Sequence, residues 1–496
     1  MPVPEPAGAE PDINILDSNR AGGVLLRRGG WRGLAYAGAV AASVAAIPLV
    51  SRHLHRLGYG RYITVTSLLL IVAAITEGGI ATLGVREFSG SGEPEQREFM
   101  RSLLGLRIAL SVAGGVGAIA FSLLGGYPQV VIEGVAIASV GLVLANLQAT
   151  LTIPLVAALR LPWLALLDFV APAVTAAGLI LLVVLGAPLL PFFAAADIAY
   201  AATLVITAML VRHQVDLAPS FELRRWRPLL KQSVVFAAAT ALGAIYFQMV
   251  VIAMSLLTNA GEVGTFGLAF RVLSVVNGVP VLLVGSAFPI LLRAARDDRA
   301  RLRYALQRLF EGCLLLGGLF SLLVVAGAPF AARVMGGTQF AGSSEVLRIL
   351  GAGVVATFLS AVFAYTMLAL RMYRALIIVN ASMVVLAVAL CCVLIPAHGA
   401  RGAAITTLSL EVVLSGAYAT SVLVSHRELR PVLGMAARII VALALAFTVA
   451  LVAPLSSLLA AVVGTTVLAV AVVALRAFPR ELLHVLRQPA DIGAAQ

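Results

Sequence analysis

Glu77, Asp168, Asp197, Arg271 and Glu411 are candidate functional side chains inside stretches that are otherwise apolar. A charge at the centre of a membrane helix costs about 2.5–3.5 kcal/mol on insertion scales, so each needs a partner or a task. Arg271 is the sharpest case. Gly264, Gly267, Arg271, Ser274 and Gly278 recur at spacings of three and four, which puts them on one helix face. Small residues flanking a guanidinium suit a cavity wall that grips an anion by forked hydrogen bonds. The alternative is a structural ion pair with Glu411 or another acid.

The remaining candidates are weighed the same way. Glu77 follows Thr66 by eleven residues, on the same side of its helix. It suits an ion-coupling carboxylate or, alternatively, a partner for Arg86 or Arg107. Asp168, Pro172 and Thr175 form a stripe. Asp168 falls near the position that Asn380 holds in the second half of the chain; such a polar pair suits a midplane site, the alternative being that Asn380 bonds a neighbouring helix. Asp197 and Glu411 are candidates for ion coupling. Arg52 stands with Arg56 and Arg61 where few cations are expected. It is a candidate for an outer gate or for binding an anionic head group, the alternative being that these arginines snorkel to the outer lipid headgroups.

The elements that must position these residues are membrane helices. The chain of 496 residues is 61% hydrophobic, with a mean hydropathy of +1.03. A soluble domain could not hide that much apolar surface. Fourteen apolar runs are legible: 33–50, 63–83, 103–124, 130–155, 161–185, 192–211, 232–256, 263–283, 309–334, 346–370, 375–395, 402–424, 435–452 and 455–475. A crossing needs about 20 apolar residues. With the N-terminus in the cytoplasm, 28 of the 35 Lys and Arg fall on the cytoplasmic side. Six lie outside (Arg52, Arg56, Arg61, Arg333, Arg348, Arg401), and Arg271 lies in a span. The positive-inside rule is therefore met along the whole chain, with both termini cytoplasmic.

The net charge of +12 reads as this orientation signal and as attraction to the anionic inner leaflet, so no nucleic-acid partner is expected. Cys313, Cys391 and Cys392 all lie in spans and offer neither a disulfide framework nor a zinc site. No HExxH, GxSxG or P-loop pattern occurs, and no cofactor is expected. The loops are too short for a catalytic or nucleotide-binding domain. These features exclude most membrane enzymes and ATP-driven pumps and point to transport.

The chain also repeats itself. LGYGRY (Leu57–Tyr62) and GEVGTF (Gly261–Phe266) align with an offset of 204, and the ALR ends at Arg160 and Arg371 with an offset of 211. Six spans per half is an even number, so the halves share one topology about an axis along the membrane normal. The fold expected is an all-α polytopic protein of about fourteen helices. A cytoplasmic N-terminus (1–32, its first nineteen residues disordered) leads into a six-helix lobe (33–215). An amphipathic linker (216–231), with Trp226 at headgroup level, precedes a second lobe (232–425). Two further helices (426–475) and a cytoplasmic tail (476–496) follow.

SRHLHRLGYGRYITVTSLL (Ser51–Leu70), ITEGGIATLGVREFS (Ile75–Ser89), VGTFGLAFRVLSVV (Val263–Val276) and LIPAHGARGAAITTLSLE (Leu394–Glu411) resemble bacterial oligosaccharide flippases. These belong to the multidrug/oligosaccharidyl-lipid/polysaccharide transporter superfamily. The resemblance implies two lobes around a central cavity in a bacterial plasma membrane. It implies alternating access that carries a polyprenyl-diphosphate-linked oligosaccharide to the outer leaflet, and a glycan polymerase or glycosyltransferases as possible partners. On that reading Arg271, with Ser274 beside it, grips the diphosphate, and several cavity arginines are expected. One departure stands out. Span 7 of such proteins often carries an acid where Gln248 stands here, which leaves ion coupling lost or moved. The competing readings are a cation-coupled drug exporter of the same superfamily and a non-transporting scaffold of an envelope assembly.

Overall fold

Hydrocarbon offers the backbone no hydrogen-bond partner, so apolar runs of this length must close their bonds internally as helices. The computed structural model of the chain describes residues 19–475, without 91 and 453–455, together with residue 477. The expectations for residues 1–18 and for most of the 476–496 tail lie outside the described residues. Among the described residues there are fourteen α-helices and no strand.

The first lobe is built from α1 (Asn19–Glu77), α2 (Ile80–Gly90), α3 (Glu93–Leu124), α4 (Gln129–Leu151), α5 (Ile153–Ala157), α6 (Leu161–Val184) and α7 (Leu190–Val211). The second comprises α8 (Leu223–Leu257), α9 (Ala260–Asp297), α10 (Arg299–Gly336), α11 (Ser343–Ala369) and α12 (Tyr373–Ser425). α13 (Leu433–Val452) and α14 (Ser457–Ala474) follow. Eleven helices are long and apolar enough to cross a membrane. α1 bends at His55 and α12 at Gly399, so each holds two of the fourteen apolar runs. The apolar end of α8, Ile245–Leu257, is a shorter piece and makes up the remaining run.

The linker is continuous with the span that follows it, because α8 runs unbroken from Leu223 through Leu257 across Pro228. The Trp226 indole N–H donates to the Ser102 carbonyl of α3 at 3.1 Å.

The repeat is visible in the turns. Gly126 and Gly337, 211 positions apart, both take a left-handed conformation after their helices. At the next turn Leu159 N donates to Val156 O and Arg160 N to Leu155 O. Arg371 N to Leu368 O and Met372 N to Met367 O repeat that pattern 212 positions on. Leu159 and Arg371 both carry a positive φ there. The register is therefore 212 at this turn, one more than the ALR motif suggests, and it makes Asp168 and Asn380 equivalent positions.

The two lobes meet along α1, α8 and α9. Repeat-related residues form the closest crossing. A Cβ on Gly60 would lie 1.7 Å from Ala260 O, and one on Gly264 would lie 2.1 Å from Arg56 O. Positions 56 and 260, like 60 and 264, are 204 apart, so the contact is self-complementary about the pseudo-twofold axis. Only glycine lets the two backbones approach this closely. α13 and α14 pack on α10, where Leu322, Leu443, Ala446 and Leu468 share a core away from the lobe interface.

Candidate substrate cavity

Between the lobes lies a cavity of about 340 Å³. Its second-lobe wall carries Phe247 and Gln248 from α8 and Gly267, Phe270, Arg271 and Ser274 from α9. The facing wall carries Tyr59, Tyr62, Thr66 and Ser67 from α1, Gly141 from α4, Thr175 from α6, and Phe193, Asp197 and Tyr200 from α7. The period of α9 puts Gly267, Arg271 and Ser274 on one face, and this is the face turned to the cavity. The repeat-mate of Arg271 is Ser67, which also lines the cavity.

Arg271 is exposed to this space, and no carboxylate among the described residues lies within ion-pair distance of it. Its charge acts on the hydroxyl-bearing rings of Tyr59 and Tyr62. Asp197 stands on the other lobe, with Tyr200 one turn along as its electrostatic neighbour. Gly141 makes room for it: a Cβ there would sit 2.1 Å from Asp197 Oδ1. Gln248 is 8% exposed, and its Oε1 is buried without a hydrogen-bond partner. Aromatic rings join these groups. Tyr62 stacks on Phe193 at 5.6 Å, and Phe247 lies 4.8 Å from Phe270.

The other sequence candidates go elsewhere. The ion pair offered as an alternative for Arg271 does not form. Glu411 is buried inside the second lobe and accepts a 3.0 Å hydrogen bond from Thr357. Asn380 accepts from Tyr418 at 2.5 Å in the same lobe. Asp168 is exposed on α6. Its stripe-mates Pro172 and Thr175 line the cavity, whereas Asp168 and Asn380 do not. The expected midplane pair is thus not assembled, because its members sit at equivalent places in separate lobes. Arg52 is also outside the cavity, where Arg271 is the one arginine among the lining residues. The expectation of several cavity arginines is not met.

Glu77 pairs with Arg107, a residue that the charge pattern had counted with the cytoplasmic loop. Arg107 is in fact fully buried. It also donates to Thr150 Oγ1 at 3.2 Å and to the Thr76 carbonyl at 2.9 Å. Asn146 extends the network to Thr76 and Ser111. Every guanidinium nitrogen of Arg107 therefore has an acceptor, which is what permits a buried charge.

The lobes are bonded to each other at the end that the arginine pattern assigns to the outside. Arg52 donates to the Val334 carbonyl at 2.6 Å and to Arg333 O at 3.2 Å, capping the C-terminus of α10. Ser51 donates to Met335 O at 2.5 Å, and Arg56 reaches Thr265 at 3.1 Å and Glu262 at 3.5 Å. Tyr59 packs edge-on to Phe340. The cavity lies on the far side of this belt.

The polysaccharide biosynthesis protein family model matches residues 26–295, more than half of the chain and both cavity walls. The chain belongs to this family. Solved structures extend the likeness in fold. "Lipid II flippase MurJ, inward closed conformation" superposes with a TM-score of 0.74, covering 91% of this chain and 99% of its own at 13% identity. An inward-facing multidrug resistance MATE family transporter of the MOP superfamily superposes at 0.61, covering 79% and 95% at 14% identity. A MOP superfamily transporter from Pyrococcus furiosus gives 0.52, covering 86% and 100% at 16% identity. No curated protein matches in sequence. The chain is therefore a multi-pass membrane protein with the fold of MOP superfamily transporters.

Sequence reasoning missed Tyr59, Tyr62, Tyr200, Phe193 and Gly141 as cavity residues. Tyr200 carries a signal, since it follows Asp197 by three positions on one helix. Gly141 carries none, because what it accommodates comes from another helix.

Proposed function

We propose that this protein flips a polyprenyl-diphosphate-linked oligosaccharide from the cytoplasmic to the outer leaflet of a bacterial plasma membrane. The observation that carries the reading is Arg271. It is a guanidinium without a carboxylate partner among the described residues, placed on the wall of a cavity between two lobes in a polysaccharide biosynthesis family member. A planar fork of donors fits a diphosphate, which meets no other charged donor in the cavity lining. On this reading the end at which Arg52, Ser51 and Arg56 tie the lobes is the outer one, and the tied state is the inward-facing half of an alternating-access cycle. Opening outward requires the Arg52, Ser51 and Arg56 bonds to break. Glu411 is the residue assigned to ion coupling. It is a buried carboxylate that accepts a hydrogen bond from the Thr357 hydroxyl, and it lies in the lobe that must move. Glu77 is assigned a structural task, since Arg107 already holds it.

A deletion strain tests this reading. Lipid-linked oligosaccharide should accumulate on the cytoplasmic leaflet, and the surface glycan should disappear. Wild-type protein should restore the glycan, Arg271→Ala should not, and Arg271→Lys should restore it poorly, with all three proteins at equal membrane levels. The second reading, a cation-coupled exporter, draws on Asp197 in a largely aromatic cavity. Normal surface glycan with raised sensitivity to cationic drugs would favour it and overturn the flippase.

A further inference from the structure

A diphosphate explains Arg271 but leaves two cavity groups unused. The Asp197 carboxylate and Gln248 Oε1 are oxygen acceptors, which a diphosphate cannot satisfy because it offers them no donor. Asp197 would repel it, so the diphosphate must lie against the second-lobe wall, away from α7. Gln248 Oε1 is buried with no donor, a condition that costs roughly 1–3 kcal/mol unless a ligand supplies one. The Asp197 carboxylate rests against the Gly141 backbone, where only a glycine leaves room for it, and keeps further lone pairs for a donor in the cavity. Both acceptors line one cavity, on opposite lobes, among the rings of Tyr62, Phe193, Tyr200 and Phe247. Hydroxyl and amide N–H donors set on a ring with an apolar face are the chemistry of a sugar.

We propose that Asp197 and Gln248 are the sugar-recognising residues of the cavity. They accept hydrogen bonds from the hydroxyl or amide N–H groups of the first sugar behind the diphosphate, and the aromatic rings take its apolar face. The proposal rests on the flippase reading and gives the substrate an orientation within it: phosphate on the second lobe, sugar between the lobes. The bound head group then touches both lobes at once. A bare polyprenyl diphosphate, lacking the sugar, does not bridge them.

The test uses the full-length protein in lipid nanodiscs and two probes, farnesyl diphosphate and farnesyl-diphosphate-linked N-acetylglucosamine. The wild type should bind the sugar-bearing probe about tenfold more tightly, as one or two hydrogen bonds to the sugar would give. Asp197→Ala and Gln248→Leu should each bring the affinity ratio close to one. Gly141→Ala should lower the ratio too, because its Cβ displaces the Asp197 carboxylate without removing it. Arg271→Ala should weaken both probes by a similar factor and keep the ratio. A wild-type ratio of one overturns the sugar site, as does a ratio that survives both Asp197→Ala and Gln248→Leu. Failure of the wild type to bind either probe, with binding of tetraphenylphosphonium, instead overturns the flippase reading and the sugar site with it.

Discussion

Arg107 and Arg271 are both arginines inside membrane helices, and their surroundings give them opposite tasks. Arg107 is enclosed, with a carboxylate, a hydroxyl and a carbonyl on its nitrogens. Such a residue is structural, because removing a partner leaves a buried charge uncompensated. Arg271 faces open space. The contrast makes a prediction about Glu77. Glu77→Ala should lower the stability of the detergent-solubilised protein by about 2 kcal/mol, allowing for its partly exposed carboxylate. Thermal unfolding measures this directly. Glu77→Gln, which keeps a hydrogen-bond acceptor, should lose less. Unchanged melting with lost glycan export would return Glu77 to an ion-coupling task. Gln248 needs its structural setting in the same way. On the sequence it reads as an acid gone missing; in the structure it lines the cavity with a buried oxygen that has no hydrogen-bond partner.

At the scale of elements, the crossing of α1 with α9 decides which side of the molecule is closed. Gly60 and Gly264 bring backbone to backbone. A carbon normally rests about 3.3 Å from a carbonyl oxygen, so the Cβ of Gly264→Ala would push the helices apart by about 1 Å. The outer belt should then open. In a cysteine-free background (Cys313, Cys391 and Cys392 replaced), Ser274→Cys should be labelled from outside by a membrane-impermeant maleimide much faster when Gly264→Ala is present. Equal labelling with and without Gly264→Ala would show that the crossing does not hold the gate. Arg52→Ala should act in the same direction but more weakly, since it removes a cap on α10 and leaves the glycine contact intact. The bends at His55 and Gly399 belong to this scale as well. Each lets one continuous helix turn back through the bilayer without a loop.

The whole molecule is two copies of one six-helix plan with two helices added on the side of α10. Single cysteines placed in 333–345 should react from outside, and those in 293–308 only after the cytoplasmic face is made accessible. External labelling of the second group would invert the orientation and, with it, the direction of transport assigned to the closed belt.

Much of this plan was legible in the chain. Fourteen apolar runs, the alternation of arginine and the repeat depend on composition and short-range order, and the bilayer imposes their consequence. The cavity face of α9 was legible too, because the spacing of Gly267, Arg271 and Ser274 is a property of one helix. What the sequence could not determine is which helix faces which. Asp197 and Arg271 share a cavity although 74 positions separate them, while Asp168 and Asn380, equivalent in the repeat, stay apart in their own lobes. Arg107 lies at the edge of a charged run, and only the packing of α1 and α4 around α3 buries it. A helix's own face is set by its period of 3.6 residues. The partner of that face is set by the tertiary packing of other helices, and no local pattern encodes it.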